Sequence, residues 1–344
     1  MVYTNANGKQ VETYSYSYDK NSNIVRKNVQ YGYSKVDVYE NKQYVYNGLG
    51  QLVETISSNK EGKSTSTFYK YDVVGNRIKM IDNKINCTTE YEYNDLNQLL
   101  SSTTINNVTK KETSKIKYVY DQNGNQISKE DTITKENVSY EYDVENRLIN
   151  VSGKKADGTS YTQENRYNGS GQRIYKRDVE VGATTKVDVT RYYYQDGMVA
   201  YTTNESGNLK TFNYYGVDNN IIGSTRYHSG NVEYYLYNKD IQGSTTNILD
   251  EDGDSSIGYT YDNFGTATVY SVKNNVHNEI TYTGAVYDNS TGLYYMNARY
   301  YDSEIGRFIT QDTYRGEKND AGTWHLYAYC ANDPINYVDL CWYN

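Results

Sequence analysis

The segment "YKYDVVGNRI", from Tyr69 to Ile78, contains a pattern that recurs through the first half of the chain. Tyr69 and Tyr71 are two positions apart, so in a strand they lie on the same face. Asp72 can accept hydrogen bonds from backbone amides ahead of it, and Gly75 tolerates the positive φ of a tight turn. Ile78 then begins a returning strand. The segment therefore predicts a strand, a tight turn and an antiparallel strand.

Seven copies of this unit follow one another. They are "YSYDKNSNI" from Tyr16, "YVYNGLGQL" from Tyr44, "YKYDVVGNRI" from Tyr69, "YEYNDLNQL" from Tyr91, "YVYDQNGNQI" from Tyr118, "YEYDVENRL" from Tyr140 and "NRYNGSGQRI" from Asn165. Their second tyrosines are spaced by 28, 25, 22, 27, 22 and 25 residues. Such a period holds two or three short strands, and stacked copies bury one continuous tyrosine ladder.

Helical periodicity is absent over most of the chain, so we predict an all-β fold with less than about 10% helix. We also expect the second tyrosines of successive units to stack on one another. These are Tyr18, Tyr71, Tyr93, Tyr120 and Tyr142.

Tyrosine dominates the composition, with 44 of 344 residues. Without it, the hydrophobic fraction falls from 37% to roughly 24%. Each tyrosine ring can bury a large apolar area while its hydroxyl finds a partner, so the packing is predicted to rest on tyrosine. The formal net charge of -8 argues against nucleic acid or an anionic membrane surface as the main partner.

The chain contains no stretch of about 18 apolar residues that would predict a membrane span. Its first residues lack the charged and apolar regions of a signal peptide. Because the chain opens within a repeating pattern, we expect it to be part of a longer protein that is secreted or displayed at the cell surface.

The repeat loosens after Ile174. "RYYYQDGMVAY" (Arg191–Tyr201) keeps tyrosine strands and a Gly turn at a different spacing, and "YTYDNFGTATVY" (Tyr259–Tyr270) restores the unit once. We therefore divide the chain into regular repeats at 1–180, degenerate strands at 181–277 that continue the same architecture, and a terminal segment at 278–344.

The terminal segment contains "TGLYYMNARYYDSEIGRFITQD" (Thr291–Asp312) and "LYAYCANDPINYVDL" (Leu326–Leu340). Both closely resemble the Rhs repeat-associated core, and the repeats resemble the YD repeats of the Rhs family, which is related to Tc toxin C subunits and teneurins. The resemblance implies a hollow β-shell of spiralling strips, with the core as a plug and a toxin sealed inside. We expect the plug to bury five aromatic rings, those of Tyr294, Tyr295, Tyr300, Tyr301 and Phe308.

The resemblance also implies an aspartyl autoprotease in the core. Such a protease needs two close carboxylates that share a proton, one activating water and the other polarising the carbonyl. The family pattern assigns these roles to Asp312 and Asp339, with Arg299 holding the pair partly ionised. We expect the three side chains to lie together.

Several residues depart from the family pattern. After Asp339 the chain continues as Leu340-Cys341-Trp342-Tyr343-Asn344, without the Pro, Gly and Leu that precede the cut. Asp333, in Asp333-Pro334, aligns with an upstream Asn-Pro and is the poorer candidate. We therefore expect an impaired intramolecular protease at most, and an intact chain.

A structural interpretation stays open beside this one. Arg299 would then be a buried ion-pair partner of Asp302 or Glu304, and Asp312 would cap a turn.

No other chemistry stands out. The three histidines are scattered, "DEDGD" (Asp250–Asp254) favours a hairpin turn over a calcium loop, and Cys87, Cys330 and Cys341 lack the spacing of metal ligands. We predict no cofactor and no metal site.

We thus interpret the chain as a structural scaffold, the C-terminal part of a toxin-encapsulating shell. Its partners would be a toxin absent from this chain or other shell segments. The alternative is a cell-surface carbohydrate-binding or adhesion module, in which tyrosine-lined grooves stack on sugars.

Overall fold

The computed structural model describes residues 1–4, 8, 10–33, 36–217, 219–228, 230–271, 273, 276–319 and 321–339. Over these ranges the regular structure consists of β-strands and three short 3-10 helices. The all-β prediction is confirmed. None of the helices in the described ranges is long and apolar enough to cross a membrane.

One antiparallel sheet of 23 strands, which we call the wall, contains most of the chain. Each strand pairs with the strands before and after it in sequence, so the wall is a continuous meander. Its strands are β1 (Val2–Thr4), β2 (Gln10–Tyr18), β3 (Ile24–Tyr33), β4 (Val36–Tyr46), β5 (Leu52–Ser58), β6 (Ser64–Tyr71), β7 (Arg77–Asp82), β8 (Cys87–Tyr93), β9 (Leu99–Asn106), β10 (Glu112–Tyr120), β11 (Gln126–Asp131), β12 (Asn137–Tyr142), β13 (Leu148–Lys154), β14 (Ser160–Tyr167), β15 (Arg173–Val181), β16 (Thr185–Gln195), β17 (Met198–Thr203), β18 (Leu209–Tyr215), β19 (Ile221–His228), β20 (Asn231–Lys239), β21 (Thr245–Leu249), β22 (Ser255–Tyr261) and β23 (Ala267–Ser271).

A second antiparallel sheet, which we call the inner sheet, follows the wall. Its four strands are β24 (Val286–Asp288), β25 (Leu293–Met296), β26 (Arg299–Asp302) and β27 (Arg307–Phe308). The 3-10 helices lie around it, at Tyr282–Gly284, Ala321–Trp324 and Cys330–Asn332.

The turns between wall strands form as the repeat predicts. Asp72 Oδ1 accepts hydrogen bonds from the backbone amides of Val74 at 3.0 Å and Asn76 at 2.8 Å. Gly75 has a φ of +89°, which a residue with a Cβ rarely adopts. Paired amide bonds of the same kind are made by Asp19, Asn47, Asn94, Asp121, Asp143 and Asn168. Each unit therefore fixes its own hairpin.

The second tyrosine of a unit ties that unit to the preceding one. The hydroxyl of Tyr71 donates a hydrogen bond to the backbone carbonyl of Leu52, the first residue of β5, at 2.9 Å. The same bond recurs from Tyr46 to Ile24, Tyr93 to Arg77, Tyr142 to Gln126, Tyr167 to Leu148, Tyr194 to Arg173, Tyr215 to Val199 and Tyr261 to Thr245. It continues into the part of the wall where the sequence repeat is degenerate.

This bond replaces the ring stacking that we predicted for these tyrosines. Equivalent positions lie two strands apart, about 9.5 Å, whereas rings in contact have centroids about 4.5–7 Å apart. Tyr18, in the first unit, is half exposed.

The first tyrosines of the units face the inner sheet and its flanking segments. Tyr140 packs in one cluster with Leu293 and Tyr295, and Tyr91 packs in another with Ile305. The predicted burial of the terminal aromatic rings is confirmed, since Tyr294, Tyr295, Tyr300, Tyr301 and Phe308 are 0–4% exposed. The inner sheet therefore fills space against one face of the wall, which we call the inner face.

The wall curves until its first strands meet its last ones. The Oγ1 atom of Thr246 on β21 donates to Oε2 of Glu12 on β2 at 2.9 Å. The hydroxyl of Tyr3 on β1 donates to the carbonyl of Lys239 on β20 at 2.8 Å. We call this contact between β1–β3 and β20–β21 the seam.

Candidate functional site

Arg299, the first residue of β26, is the centre of the predicted site. It is 9% exposed, and its Cζ atom lies 3.6 Å from the centroid of the Phe308 ring. The short strand and this ring fix the guanidinium in place, because a cation over an aromatic face is attracted by the ring quadrupole.

Arg299 brings the two predicted aspartates together. Its Nη2 atom lies 2.8 Å from Oδ2 of Asp312 and 3.1 Å from Oδ2 of Asp339. The two carboxylate oxygens are thus no more than about 6 Å apart, the sum of those distances. All three residues meet as expected, while their catalytic roles stay a prediction.

The backbone carbonyl of Leu326 holds the cluster together through hydrogen bonds. The amide of Asp312 donates to the carbonyl of Leu326 at 2.9 Å, and Nη1 of Arg299 lies 3.4 Å from the same oxygen. Oδ1 of Asp312 accepts the amide of Tyr314 at 2.9 Å. Asp312 therefore does cap a turn, with its other oxygen directed to Arg299.

The structural alternative for Arg299 named the wrong carboxylates. Asp302 and Glu304 lie 3.1 and 4.0 Å from Nζ of Lys129 on β11. Burial lowers the pKa of Lys129, but the adjacent Asp302 and Glu304 carboxylates, together with neighbouring phenols, raise it well above its usual range. These groups form a separate link between wall and inner sheet.

Asp333 also has a structural role. Both of its carboxylate oxygens accept hydrogen bonds from the side chain of Asn336, at 3.0 and 2.9 Å. Burial raises the pKa of Asp333. It caps the last turn before Asp339.

Two cavities lie on either side of the Arg299 cluster. Arg299 lines one of about 270 Å³, together with Arg147 and Tyr167 of the wall. Asp339 lines the other, of about 230 Å³, whose walls are more apolar and include Met198 and Ile221. Gly197 and Asn297 border both cavities.

A second charged cluster, which sequence reasoning missed, links the wall to the inner sheet. Arg173 is fully buried, and its Nη1 and Nη2 atoms lie 2.5 and 3.0 Å from the two carboxylate oxygens of Asp288 on β24. Lys176 lies 3.1 Å from Asp288 and 2.7 Å from Glu279. Burial raises the pKa of Glu279, but the charges and hydrogen bonds of Lys176 and His277 together hold it well below its usual range.

The sequence did contain a signal for this cluster. Arg173 is the first residue of its returning strand, a position that Leu52, Leu99 and Leu148 occupy in three other units and that Arg77 and Gln126, also buried, occupy in two more. A charged residue in an aliphatic position of a repeat indicates a buried partner, because an unpaired buried charge is costly.

The remaining candidates for chemistry are structural. Oδ1 of Asp250 accepts the amides of Asp252 and Asp254, so this acidic stretch forms a hairpin turn. Within the described ranges, no group of three or more His, Cys, Asp or Glu is arranged to hold a metal ion. Cys87 is not part of a disulfide. Residues 340–344, which include Cys341 and the altered cleavage segment, lie outside the described residues.

Comparison with known proteins settles the family. The family model described as teneurin YD-shell matches residues 2–335. The chain belongs to the teneurin YD-shell family. It is therefore a structural shell scaffold, as the repeats and the plug indicated.

Two relatives of the YD-shell chain are much longer proteins. It is 31% identical over 299 residues to the tRNA3(Ser)-specific nuclease WapA of Bacillus spizizenii. The alignment covers 86% of this chain and 11% of that protein. It is 32% identical, with the same coverage, to the tRNA nuclease WapA of Bacillus subtilis. The chain thus spans about a tenth of the length of these curated relatives.

Among solved structures, the Photorhabdus luminescens Tc holotoxin pore matches with 15% identity and a TM-score of 0.44. The match covers 96% of this chain and 21% of that one.

Proposed function

We propose that this chain is the C-terminal part of a shell that encloses a toxin belonging to the same, longer protein, which is secreted or displayed at the cell surface. One observation carries the proposal. Asp339, the last residue described, lines a cavity together with Tyr192, Tyr215 and Ile221 of the wall. Polypeptide that follows this position would begin on the inner side of the wall.

The packing supports enclosure. The inner sheet is bound to the wall by buried ion pairs and by two clusters of apolar side chains. Two of the curated relatives are named tRNA nucleases, so an enclosed cargo of that class fits this chain.

Protease protection tests the enclosure. A short unstructured tag would be fused after Asn344 in one protein and before Met1 in a matched control, and both would be treated with a nonspecific protease. We expect the N-terminal tag to be removed first and the C-terminal tag to persist until urea unfolds the shell. Equal rates of removal would contradict the enclosure.

We further propose that Arg299, Asp312 and Asp339 are a residual aspartyl protease site. The position of Arg299 Nη2 within 3.1 Å of both carboxylates supports this role. A dyad without its properly positioned peptide loses the orientation that supplies much of the rate, and the residues after Asp339 lack the family's Pro, Gly and Leu. We therefore expect freshly expressed protein to have the intact mass.

Mass spectrometry decides between an inactive and an active site. A species ending at Leu340 that disappears in Asp312→Asn and persists in the control Asp333→Asn would prove the protease active. If such a species persists in Asp312→Asn, the assignment of Asp312 is wrong.

A further inference from the structure

The seam joins the two ends of the wall through side chains. Glu12 lies at its centre and is 1% exposed. Its Oε2 atom accepts hydrogen bonds from Thr246 Oγ1 at 2.9 Å and from the Tyr14 hydroxyl at 3.0 Å. Glu12 and Thr246 are 234 residues apart in sequence, so this carboxyl links the first and last parts of the sheet.

The groups that face Glu12 are predominantly neutral or acidic. Phenols approach from three strands: Tyr3 on β1, Tyr14 on β2 and Tyr31 on β3. The amides of Asn238 and Asn247 approach from β20 and β21. Lys239 on β20 takes part through its backbone, which bonds to Tyr3.

Asp240, which follows β20, is paired with Lys27 on β3 at 3.4 Å. Among the described residues, no Lys or Arg forms an ion pair with Glu12. Without a paired cation from the described part of the chain, an ionised carboxylate at this depth would be strongly disfavoured.

Burial accordingly raises the pKa of Glu12 to about 7, although bonds from Thr246 and Tyr14 lower it in part. The ordinary value is 4.5. The closed seam therefore binds the proton more tightly than an open, solvated one would.

Beside the seam the two ends of the wall diverge. A cleft of about 730 Å³ lies between β4–β7 on one side and β22–β23 on the other. Lys42 of β4 reaches across its edge and donates to the carbonyl of Tyr261 on β22 at 3.0 Å. Loosening of the seam would extend an opening that already exists.

We propose that the seam is a proton-controlled closure of the shell, which holds while Glu12 is protonated and loosens when its carboxyl ionises. Below pH 4.5 the proton is bound in both the closed and the open states, so the contribution to closure is fully present. This contribution to closure decreases as the pH rises and is lost at about 7, where the closed state also releases its proton. The shell is thus tightest in acid.

Hydrogen–deuterium exchange of the full chain at pH 5 and pH 8.5, corrected for intrinsic exchange rates, tests the closure. Peptides covering β2 and β21 should show an opening constant larger on the order of a hundredfold at the higher pH. Peptides covering β13, away from the seam, should not change.

Glu12→Gln keeps the shape of the side chain and removes its titration, so it should abolish the pH dependence at β2 and β21. Glu90→Gln, at an exposed position on β8, is the matched control and should behave as the unmodified chain. A Glu12→Gln protein that keeps the pH dependence, or an unmodified chain that lacks it, overturns the proposal.

If Glu12→Gln does not fold, Thr246→Val decides the question. The hydroxyl of Thr246 favours the ionised carboxylate, so its removal should move the midpoint of seam opening to a higher pH. An unchanged or lower midpoint overturns the proposal.

Discussion

The wall and the inner sheet are both antiparallel, yet they bury their strands differently. Along β12 of the wall, buried and exposed residues alternate, so one face is covered and the other meets solvent. In β25 and β26 of the inner sheet every residue is buried. Strands of four residues would be marginal alone, so the inner sheet depends on being covered. The wall covers the inner sheet, and the inner sheet forms the core against the inner face of the wall.

Ion pairs are exposed on the wall and buried at its contact with the inner sheet. On the wall, Lys210 pairs with Asp188, whose side chain is 54% exposed, at 2.8 Å. At the contact with the inner sheet, Arg173 and Asp288 are 1% and 0% exposed. An exposed pair contributes little because water already solvates its charges, whereas loss of one partner from a buried pair leaves an uncompensated charge. Matched substitutions in the two regions should therefore differ greatly.

The largest difference should come from the ion pairs. Asp288→Asn removes the counter-charge of Arg173 and one of those of Lys176, and should lower the free energy of unfolding by about 5 kcal/mol, the upper end of the range for breaking a buried pair. Asp188→Asn, at the exposed pair, should lower it by less than about 1 kcal/mol. Urea denaturation of both variants measures the contrast. Equal losses would show that the inner sheet is not bound to the wall by this pair.

Two phenylalanines test the packing of the same regions. Phe308→Ala in the inner sheet should cost about 4 kcal/mol, within the usual range for a lost core aromatic ring. Phe212→Ala on β18, where the ring is 40% exposed, should cost about 1 kcal/mol, because much of that ring already contacts water. The same denaturation measurement applies. A loss below about 1 kcal/mol for Phe308→Ala would make β27 a surface strand.

The wall was the more predictable region because each unit encodes its own geometry. Asp72 and Gly75 specify a turn from local residues alone, and the spacing of Tyr69 and Tyr71 specifies a shared face. The role of the second tyrosine was mistaken, since a sequence gives no distance between equivalent positions. At that distance the rings cannot touch, and the hydroxyl donates a hydrogen bond to the preceding unit instead.

The candidate site was predictable only through its resemblance to a known core. Arg299, Asp312 and Asp339 are separated by a strand, turns and two 3-10 helices, so no spacing rule would group them. The Arg173–Asp288 pair and the Glu12 seam each join parts of the chain more than 100 residues apart. Neither pair could be assigned from local sequence, although Arg173 stands where three other units have leucine.

The smallest expected effect concerns the bond that repeats along the wall. Tyr142→Phe removes the hydroxyl that donates to the carbonyl of Gln126 at 2.8 Å while the ring stays in place, and should lower the free energy of unfolding by about 1 kcal/mol. Tyr234→Phe, whose ring is 54% exposed on β20, is the control and should change it by less than about 0.5 kcal/mol. Because the bonds of distant units share no partners, combining Tyr142→Phe with Tyr71→Phe and Tyr215→Phe should give a nearly additive loss of about 3 kcal/mol. A combined loss no larger than the single one would mean that the bonds do not hold successive units together, and that the wall, unlike the inner sheet, derives its stability from the strand pairing alone.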